Sequence, residues 1–187
     1  MIKKDVLELE IRRKIYNHIR NSPGLHEREL ARELNIALST LDYHLYYIKQ
    51  RGLIRSKQDG RYTRYYISGD VGIKEGKVLS VLRQKVTRRI IIFLLLNPNA
   101  THKEVTQHIG LARSTITFHL NKLTDLDIIS QTPKGRQIEY QVTDSEYISD
   151  LIITYQTTFL DDSVDRFLTT WFSIHPHHQQ KQKTRTR

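Results

Sequence analysis

The sequence predicts a mainly α-helical chain with small β-hairpin wings, made of two copies of one unit and a C-terminal helical segment. Three observations predict this class. Residues 12–67 align without a gap over residues 87–142, at a constant offset of 75 residues. Within each copy, apolar residues recur at helical spacing and then alternate along two short segments. A repeat found only twice indicates two small domains, because a solenoid needs three or more copies.

The repeat and the turn signals between its elements set the predicted domain boundaries. A joint rich in glycine follows the first copy, and polar residues follow the second. We predict a first domain over residues 1–70 and a linker with the start of a connecting helix over residues 71–86. A second domain follows over residues 87–144, then a C-terminal dimerisation segment over residues 145–174 and a disordered basic tail over residues 175–187.

The second copy allows each element to be assigned in order. A long helix over residues about 77–96 ends before the turn signal Asn97-Pro98-Asn99. Thr101 is placed to cap the next helix, because Glu104 follows at the spacing of a capping box. This second helix ends at Gly110 and leads into a short turn.

A third helix follows from about Arg113 to Leu126. Ile116, Leu120 and Leu123 form its core stripe, at spacings of four and three residues. The third helix therefore has one apolar face toward the core and an opposite face toward solvent.

A hairpin completes the copy. Ile128-Ile129 begins one strand, Pro133–Arg136 form a turn, and Ile138, Tyr140 and Val142 alternate along the returning strand. The first copy repeats these signals at aligned positions, which are Leu30, Leu34, Leu41, Leu45, Ile48, Leu53-Ile54, Asp59-Gly60 and Tyr65-Tyr66-Ile67. Helix, helix, turn, helix and β-hairpin, in this order, make a winged helix-turn-helix.

The stretch from Leu111 to Leu123, LARSTITFHLNKL, resembles the turn and recognition helix of the ArsR/MarR-like winged-helix regulators. The two copies and the segment from Phe159 to Trp171 resemble archaeal regulators with two such units in tandem. The resemblance implies a DNA-binding transcription regulator. The metal-sensing members use cysteines, and this sequence has none, so thiolate metal sensing is not expected.

The exposed face of the third helix in the second copy carries side chains that suit DNA. Arginine pairs with guanine, asparagine pairs with adenine, and threonine or phenylalanine packs on the thymine methyl group. Hydroxyls in the first turn suit a phosphate. The predicted contacts are Arg113, Ser114, Thr115, Thr117, Phe118, Asn121 and Lys122.

The corresponding helix of the first copy is a weaker candidate. Its predicted DNA contacts are Ser39, Thr40, Tyr43 and Tyr46. Asp42 lies on the same face and would repel phosphate, although a carboxylate can also accept from cytosine. Docking to a protein is therefore the alternative for this helix.

The hairpin wings are basic. Lys57, Arg61 and Arg64 in the first copy, and Lys134 and Arg136 in the second, are predicted to contact phosphate or the minor groove. The alternative is an ordinary solvated hairpin. His44 and His119 share one position and are expected to pack or to hydrogen-bond, rather than to bind metal, because no second ligand is near in sequence.

The C-terminal segment is acidic and carries an apolar helical stripe. We expect this stripe to pair two chains, and the alternative is that it packs back on the second domain. The residues expected in the dimer are Ile152, Tyr155, Phe159, Val164, Phe167, Leu168 and Trp171.

The net charge of +10 is concentrated in the repeats: residues 1–70 carry +5, residues 71–143 carry +6, and the remainder carries −1. This distribution favours a polyanion such as double-stranded DNA as the partner. We expect no enzyme, cofactor or metal, because no nucleotide-binding, metalloprotease or hydrolase motif is present. The absence of cysteine and of a signal peptide favours the cytoplasm.

We therefore predict a sequence-specific DNA-binding regulator that acts as a homodimer. The alternative is a protein-interaction module of the transcription or replication machinery that binds DNA weakly and without sequence preference.

Overall fold

The computed structural model describes residues 9–69, 72–159 and 161–176, in two compact units with the boundary between Arg83 and Gln84. Most of the predicted basic tail, residues 177–187, lies outside the described residues. Of the helices in the described part of the chain, none is both long enough and apolar enough to cross a lipid bilayer.

Unit 1 confirms the predicted order of three helices and a hairpin, and a further helix follows. The elements are α1 (Glu10–Asn21), α2 (Glu27–Leu34), α3 (Leu38–Gln50), β1 (Ile54–Asp59), β2 (Tyr62–Ile67) and α4 (Ile73–Leu82). The predicted stripe forms the core: Leu30, Leu41, Leu45 and Ile48 are buried, and Leu34 is half-buried at its edge.

Unit 2 repeats this order and adds the C-terminal elements. They are α5 (Lys85–Leu96), β3 (Ala100–Thr101), α6 (His102–Ile109), α7 (Arg113–Asp125), β4 (Ile129–Lys134), β5 (Gln137–Val142), α8 (Ser145–Thr154), a 3-10 turn (Gln156–Thr158) and α9 (Asp162–Ile174). Ile116, Leu120 and Leu123 are fully buried, so the face of α7 predicted from the spacing is confirmed.

The wings are antiparallel hairpins in both units. Each turn is two residues long and begins with a glycine at positive φ, Gly60 at 59° and Gly135 at 60°. Glycine occupies this region without the steric cost that a Cβ atom adds, which explains its presence in both copies. In unit 2, β3 adds a third strand by pairing Ala100 with Tyr140.

A capping box begins the second helix of each unit. The Glu104 backbone N–H donates to Thr101 Oγ1 at 3.4 Å, and the Thr101 backbone N–H donates to Glu104 Oε2 at 2.7 Å, which confirms the prediction. In unit 1 the same reciprocal pair forms between His26 and Glu29, with Nδ1 of the imidazole as the acceptor. The box fixes where the helix begins and therefore positions the turn that follows it.

The predicted single helix over residues 77–96 is wrong, because α4 ends at Leu82 and α5 begins at Lys85. Two hydrogen bonds hold α4 and the residue after it to the rest of unit 1. Tyr66 donates its hydroxyl to the Gly76 carbonyl at 3.1 Å, and Arg83 Nε donates to the Pro23 carbonyl at 3.1 Å. Thus α4, expected in the linker, clusters with the first unit.

Candidate nucleic-acid interface

The outer face of α7 lies opposite its core stripe. Arg113, Ser114, Thr117, Phe118 and Asn121 are exposed on this face. Three fully buried aliphatic residues hold one side of α7 against the core, so the Cα–Cβ bonds on the opposite side point to solvent. The structure therefore places these five predicted contacts on one surface.

The polar groups of this face differ in how freely they can meet a ligand. Among the described residues, the side chains of Arg113 and Asn121 have no hydrogen-bond or salt-bridge partner. Thr117 Oγ1 donates to the Arg113 carbonyl at 2.9 Å and lies 2.9 Å from His102 Nε2. Lys122 is half-buried and donates to Gln84 Oε1 at 3.3 Å. Arg113 and Asn121, together with the shorter Ser114, are therefore available on this face for hydrogen bonds to bases.

The sequence analysis missed His102. This residue opens α6, and its Nε2 contacts Thr117 on α7, so it links the two helices of the helix-turn-helix. Burial, followed by the charge of Arg113, lowers its pKa. A comparison of the copies draws attention to this position, because Glu27 is its counterpart in unit 1.

The N-termini of α7 and α3 offer unoccupied backbone donors. Ala112 and Ala37 stand at the N-cap positions, and neither has a side chain that can accept a hydrogen bond. The first N–H groups of each helix therefore remain directed outward, with the positive end of the helix dipole. Ser114 is exposed and Thr115 half-exposed beside those of α7. This arrangement suits a phosphate group.

An exposed aromatic ring occupies the same position on both helices. Phe118 is 65% exposed and Tyr43 is 62% exposed. Each ring makes an edge-on contact with the following histidine, His119 at 5.3 Å and His44 at 5.1 Å between centroids. A large aromatic side chain held outward in this way, twice in one chain, indicates a binding surface rather than a core position.

The outer face of α3 is less suited to a polyanion. Ser39, Thr40 and Tyr46 are exposed as predicted. Burial and the charge of Glu27 raise the pKa of Asp42, so two carboxylates lie close together at this face. The corresponding residues in unit 2 are His102 and Thr117, which carry no negative charge.

Arg64 corrects the prediction for the first wing. Its side chain is buried, and Nε donates to Asp59 Oδ2 at 2.7 Å while Nη1 donates to the Gly24 carbonyl at 2.8 Å. A guanidinium with both of these partners inside the unit is unavailable to phosphate. Lys57 and Arg61 are exposed on the same hairpin, as predicted.

The second wing carries the same ion pair with the charges exchanged. Lys134 and Glu139 align with Asp59 and Arg64, and Lys134 Nζ lies 2.8 Å from Glu139 Oε1. The hydrogen bond and charge of Glu139 raise the pKa of Lys134. Lys134 is exposed but partnered, and Arg136 at the turn is exposed.

His44 and His119, which occupy the same position in the two copies, behave as packing residues. Arg12 Nε donates to His44 Nδ1 at 3.4 Å, and burial, then the charge of Arg12, lowers the pKa of His44. Burial and the charge of Lys122 lower the pKa of His119. Within the described ranges, no cluster of three potential metal-binding side chains is present.

Most of the residues predicted to form a dimer are buried inside unit 2. Ile152, Phe159, Val164, Phe167 and Trp171 are buried, and Tyr155 and Leu168 are half-buried. The reason is that α9 packs against α5, whose second half, residues 90–96, is apolar throughout. These side chains are not available to a second chain while this packing persists.

A buried ion pair fixes α9 to α5. Arg88 Nη2 donates to Asp161 Oδ2 at 2.7 Å, and both side chains are nearly inaccessible. Burial would raise the pKa of Asp161, but hydrogen bonds from the Ser163 backbone and from Arg88 hold it below its ordinary value. Asp161 also caps α9, so one carboxylate both begins the helix and fastens it.

Comparisons with known proteins agree with this architecture. Residues 9–76 match a family model described as an N-terminal HTH domain, and residues 83–130 match one described as winged helix-turn-helix DNA-binding. The chain is 34% identical over 140 residues to an uncharacterized HTH-type transcriptional regulator of Methanocaldococcus jannaschii, which covers 75% of this chain and 35% of that protein. The chain thus spans about a third of the length of this archaeal relative.

Two further similarities each cover less than half of the chain. The chain is 30% identical over 82 residues to the transcriptional repressor SdpR of Bacillus subtilis, covering 44% of this chain and 77% of SdpR. The solved structure of reduced HlyU from Vibrio cholerae is 17% identical, with a TM-score of 0.40, covering 45% of this chain and 87% of that one. With both units matched by helix-turn-helix models and SdpR covered over most of its length, the chain belongs to the winged helix-turn-helix transcription regulators.

Proposed function

We propose that this chain binds double-stranded DNA sequence-specifically, with α7 of unit 2 as the helix that reads bases. The observation that carries the proposal is the outer face of α7, where Arg113 and Asn121 are exposed and without partners in the described part of the chain. An arginine and an asparagine provide the bidentate pairings that identify guanine and adenine in the major groove. Phe118 supplies an apolar surface for a thymine methyl group.

Phosphate contacts would hold this helix in register. The uncapped N-terminus of α7 presents backbone donors, and Arg136 at the wing turn and Lys103 on α6 add exposed positive charge. Such contacts carry no sequence information, but they position the reading helix on the duplex. They also make binding depend on salt, because each neutralised phosphate releases counterions.

Unit 1 has a supporting part in this proposal. Its α3 has the same uncapped N-terminus, and Arg61 and Lys57 remain exposed on its wing. Asp42 and Glu27 oppose close contact with phosphates along the helix. We therefore assign phosphate contacts to unit 1 and base reading to unit 2.

A second candidate function is specific to α3. Tyr43 and Tyr46 are each more than 60% exposed, and they lie on the face that carries Asp42. Tyrosine is enriched at protein interfaces relative to the rest of the surface. In this alternative, unit 1 docks a protein of the transcription machinery while unit 2 holds DNA.

A homodimer remains a prediction. The apolar stripe on which it was based is buried in unit 2, so a dimer would need a different surface. Sedimentation equilibrium at about tens of micromolar, the range of weak association, decides the question. A palindromic binding site would independently indicate a two-fold assembly.

Selection from a random duplex pool tests the proposed function. Repeated capture by the full chain should enrich one short motif, and Arg113→Ala should reduce affinity for that motif by about 1–3 kcal/mol and relax preference at one base pair. Retention of duplexes without any enriched motif would refute sequence-specific binding and support the interaction module.

A further inference from the structure

A cavity of about 300 Å³, open to solvent, lies at the surface of unit 2 between α5, α6 and α9, and His108 and Arg166 are exposed beside it. Each helix contributes one nitrogen-bearing side chain to its lining: Arg89 from α5, His108 from α6 and Arg166 from α9. None of the residues that line the cavity is acidic. None of the lining residues belongs to α7, and the proposed DNA contacts do not use the cavity.

The two guanidinium charges beside this cavity oppose a further positive charge on His108. Burial lowers the pKa of His108, and the charges of Arg89 and then Arg166 lower it further, so both guanidinium groups are close enough to act on the imidazole. In the described part of the chain, Arg166 has no salt-bridge partner, whereas Arg88, next to Arg89, is paired with Asp161. An anion in the cavity would relieve this repulsion.

The remaining lining favours an anion with an apolar body. Ile92, Leu96 and Phe167 provide apolar wall, and a simple inorganic anion would leave it unused. Ser163 also lines the cavity, and its buried hydroxyl has no hydrogen-bond partner among the described residues. The lining thus combines apolar wall with several polar groups, and in pockets for small molecules such polar groups fix the orientation of the ligand.

The cavity is connected to the helix proposed to read DNA. Arg89 Nη2 donates to the Ile109 carbonyl at 3.3 Å, and Ile109 is the last residue of α6. Gly110 follows in the left-handed conformation, with φ of 74°, and α7 begins three residues later. A ligand that takes the guanidinium of Arg89 would compete with this carbonyl and loosen the turn that positions α7.

We propose that this cavity binds a small carboxylate with a short aliphatic or aromatic body, and that its occupancy lowers the affinity of unit 2 for DNA. Arg166 and Arg89 hold the carboxylate, and the apolar wall receives the body. Binding at the cavity is independent of the DNA proposal, whereas the effect on affinity rests on it.

Hexanoate is the probe, with hexanamide as its uncharged match and inorganic phosphate as an anion without an apolar body. In ¹H–¹⁵N spectra of the full chain, hexanoate should shift the Ile109 and Gly110 amide signals and the His108 ring signals in a saturable way. Arg166→Gln should weaken this binding by about tenfold or more, as expected for the loss of a charge-assisted hydrogen bond. Lys14→Gln, at the position of unit 1 that aligns with Arg89, should leave the titration unchanged.

Two results would overturn the site: no saturable shift with hexanoate up to about 50 mM, well above the millimolar range of weak ligands, or an equal response to hexanamide. An equal response to phosphate would overturn the organic-anion assignment. The effect on DNA is measured separately, by anisotropy of a labelled duplex with and without hexanoate. Saturable binding with unchanged DNA affinity would refute the coupling, whereas failure of the chain to bind DNA at all would refute the proposed function and leave the site intact.

Discussion

Replacement of Arg64 tests the assignment of this wing residue to stability rather than to DNA. In Arg64→Ala, Asp59 loses the ion pair at 2.7 Å and the Gly24 carbonyl loses its donor at 2.8 Å. The side chain of Arg64 is 4% exposed and that of Asp59 is 16% exposed, so water replaces these partners poorly. The variant therefore leaves a nearly buried carboxylate without compensation.

The magnitude follows from this geometry. Removing one partner of a fully buried ion pair costs about 3–5 kcal/mol, and the partial exposure of Asp59 places this pair near the lower end. We expect Arg64→Ala to lower the free energy of unfolding of unit 1 by about 3 kcal/mol. The repeat provides a matched control, because Glu139→Ala removes the aligned partner in unit 2, where Lys134 is 73% exposed. That variant should leave stability essentially unchanged, since the lysine that loses its partner is exposed to water, and ion pairs with such groups contribute little.

Urea unfolding followed by circular dichroism measures both variants, and hydrogen exchange resolved by peptide assigns the loss to a unit. Arg64→Ala should expose the amides of β2 and of the α1–α2 turn to faster exchange. The reasoning is refuted if Arg64→Ala unfolds within about 0.5 kcal/mol of the parent, the usual range for surface substitutions. It is equally refuted if Glu139→Ala destabilises the chain as much.

Three further outcomes are expected. Arg88→Met should destabilise unit 2 by about 3–5 kcal/mol, because it leaves the buried carboxylate of Asp161 without its ion-pair partner. The control Arg13→Met, at the aligned and exposed position of unit 1, should change stability by less than about 0.5 kcal/mol. Urea unfolding followed by tryptophan fluorescence reports on unit 2, where the chain's one tryptophan lies. Folding lowers the pKa of Asp161, so the contribution of its carboxylate to stability is complete above about pH 4 and is lost as the pH falls through the folded pKa. The free energies of unfolding of the parent and of Asp161→Asn, measured by acid unfolding, should therefore converge below the folded pKa. Arg61→Ala and Arg136→Ala should each reduce the slope of log affinity against log salt by about one, measured by anisotropy, and an unchanged slope in both would exclude the wings from the phosphates.

The repeat made most of the fold predictable. Apolar spacing alone placed Ile116, Leu120 and Leu123 in the core, and the pattern Thr101…Glu104 identified a capping box that the structure contains. These features depend on local periodicity and on backbone donors at a helix start, both of which are visible in a single sequence. The outer face of α7 follows as the complement of its core face.

Charge pairing across the hairpins was harder to predict. A basic residue in a wing suggests exposure, yet Arg64 is buried because Asp59 neutralises it. The exchange of Asp59 and Arg64 for Lys134 and Glu139 between the copies was the available signal. Opposite charges that swap together at two aligned positions indicate direct contact.

The burial of the C-terminal apolar stripe inside unit 2, rather than in a dimer, also had a signal in the repeat. On α1 the positions that align with Ile91, Ile92, Leu95 and Leu96 are polar, namely Tyr16, Asn17, Arg20 and Asn21. A helical segment that is apolar on every side, as residues 90–96 are, must be covered on every side. The difference between α1 and α5 indicates that unit 2 needs a cover that unit 1 lacks, and α9 provides it.

The most direct test of the central claim compares the two reading faces at aligned positions. Arg113 and Asn121 of unit 2 align with Leu38 and Tyr46 of unit 1. Binding of the selected duplex is measured for the parent, for Arg113→Ala/Asn121→Ala and for Leu38→Ala/Tyr46→Ala. Loss of two base contacts at about 1–3 kcal/mol each predicts about thirtyfold weaker binding or more for the unit 2 variant, and less than about fivefold for the unit 1 variant. Equal losses, or a larger loss in unit 1, would contradict the assignment of base reading to α7.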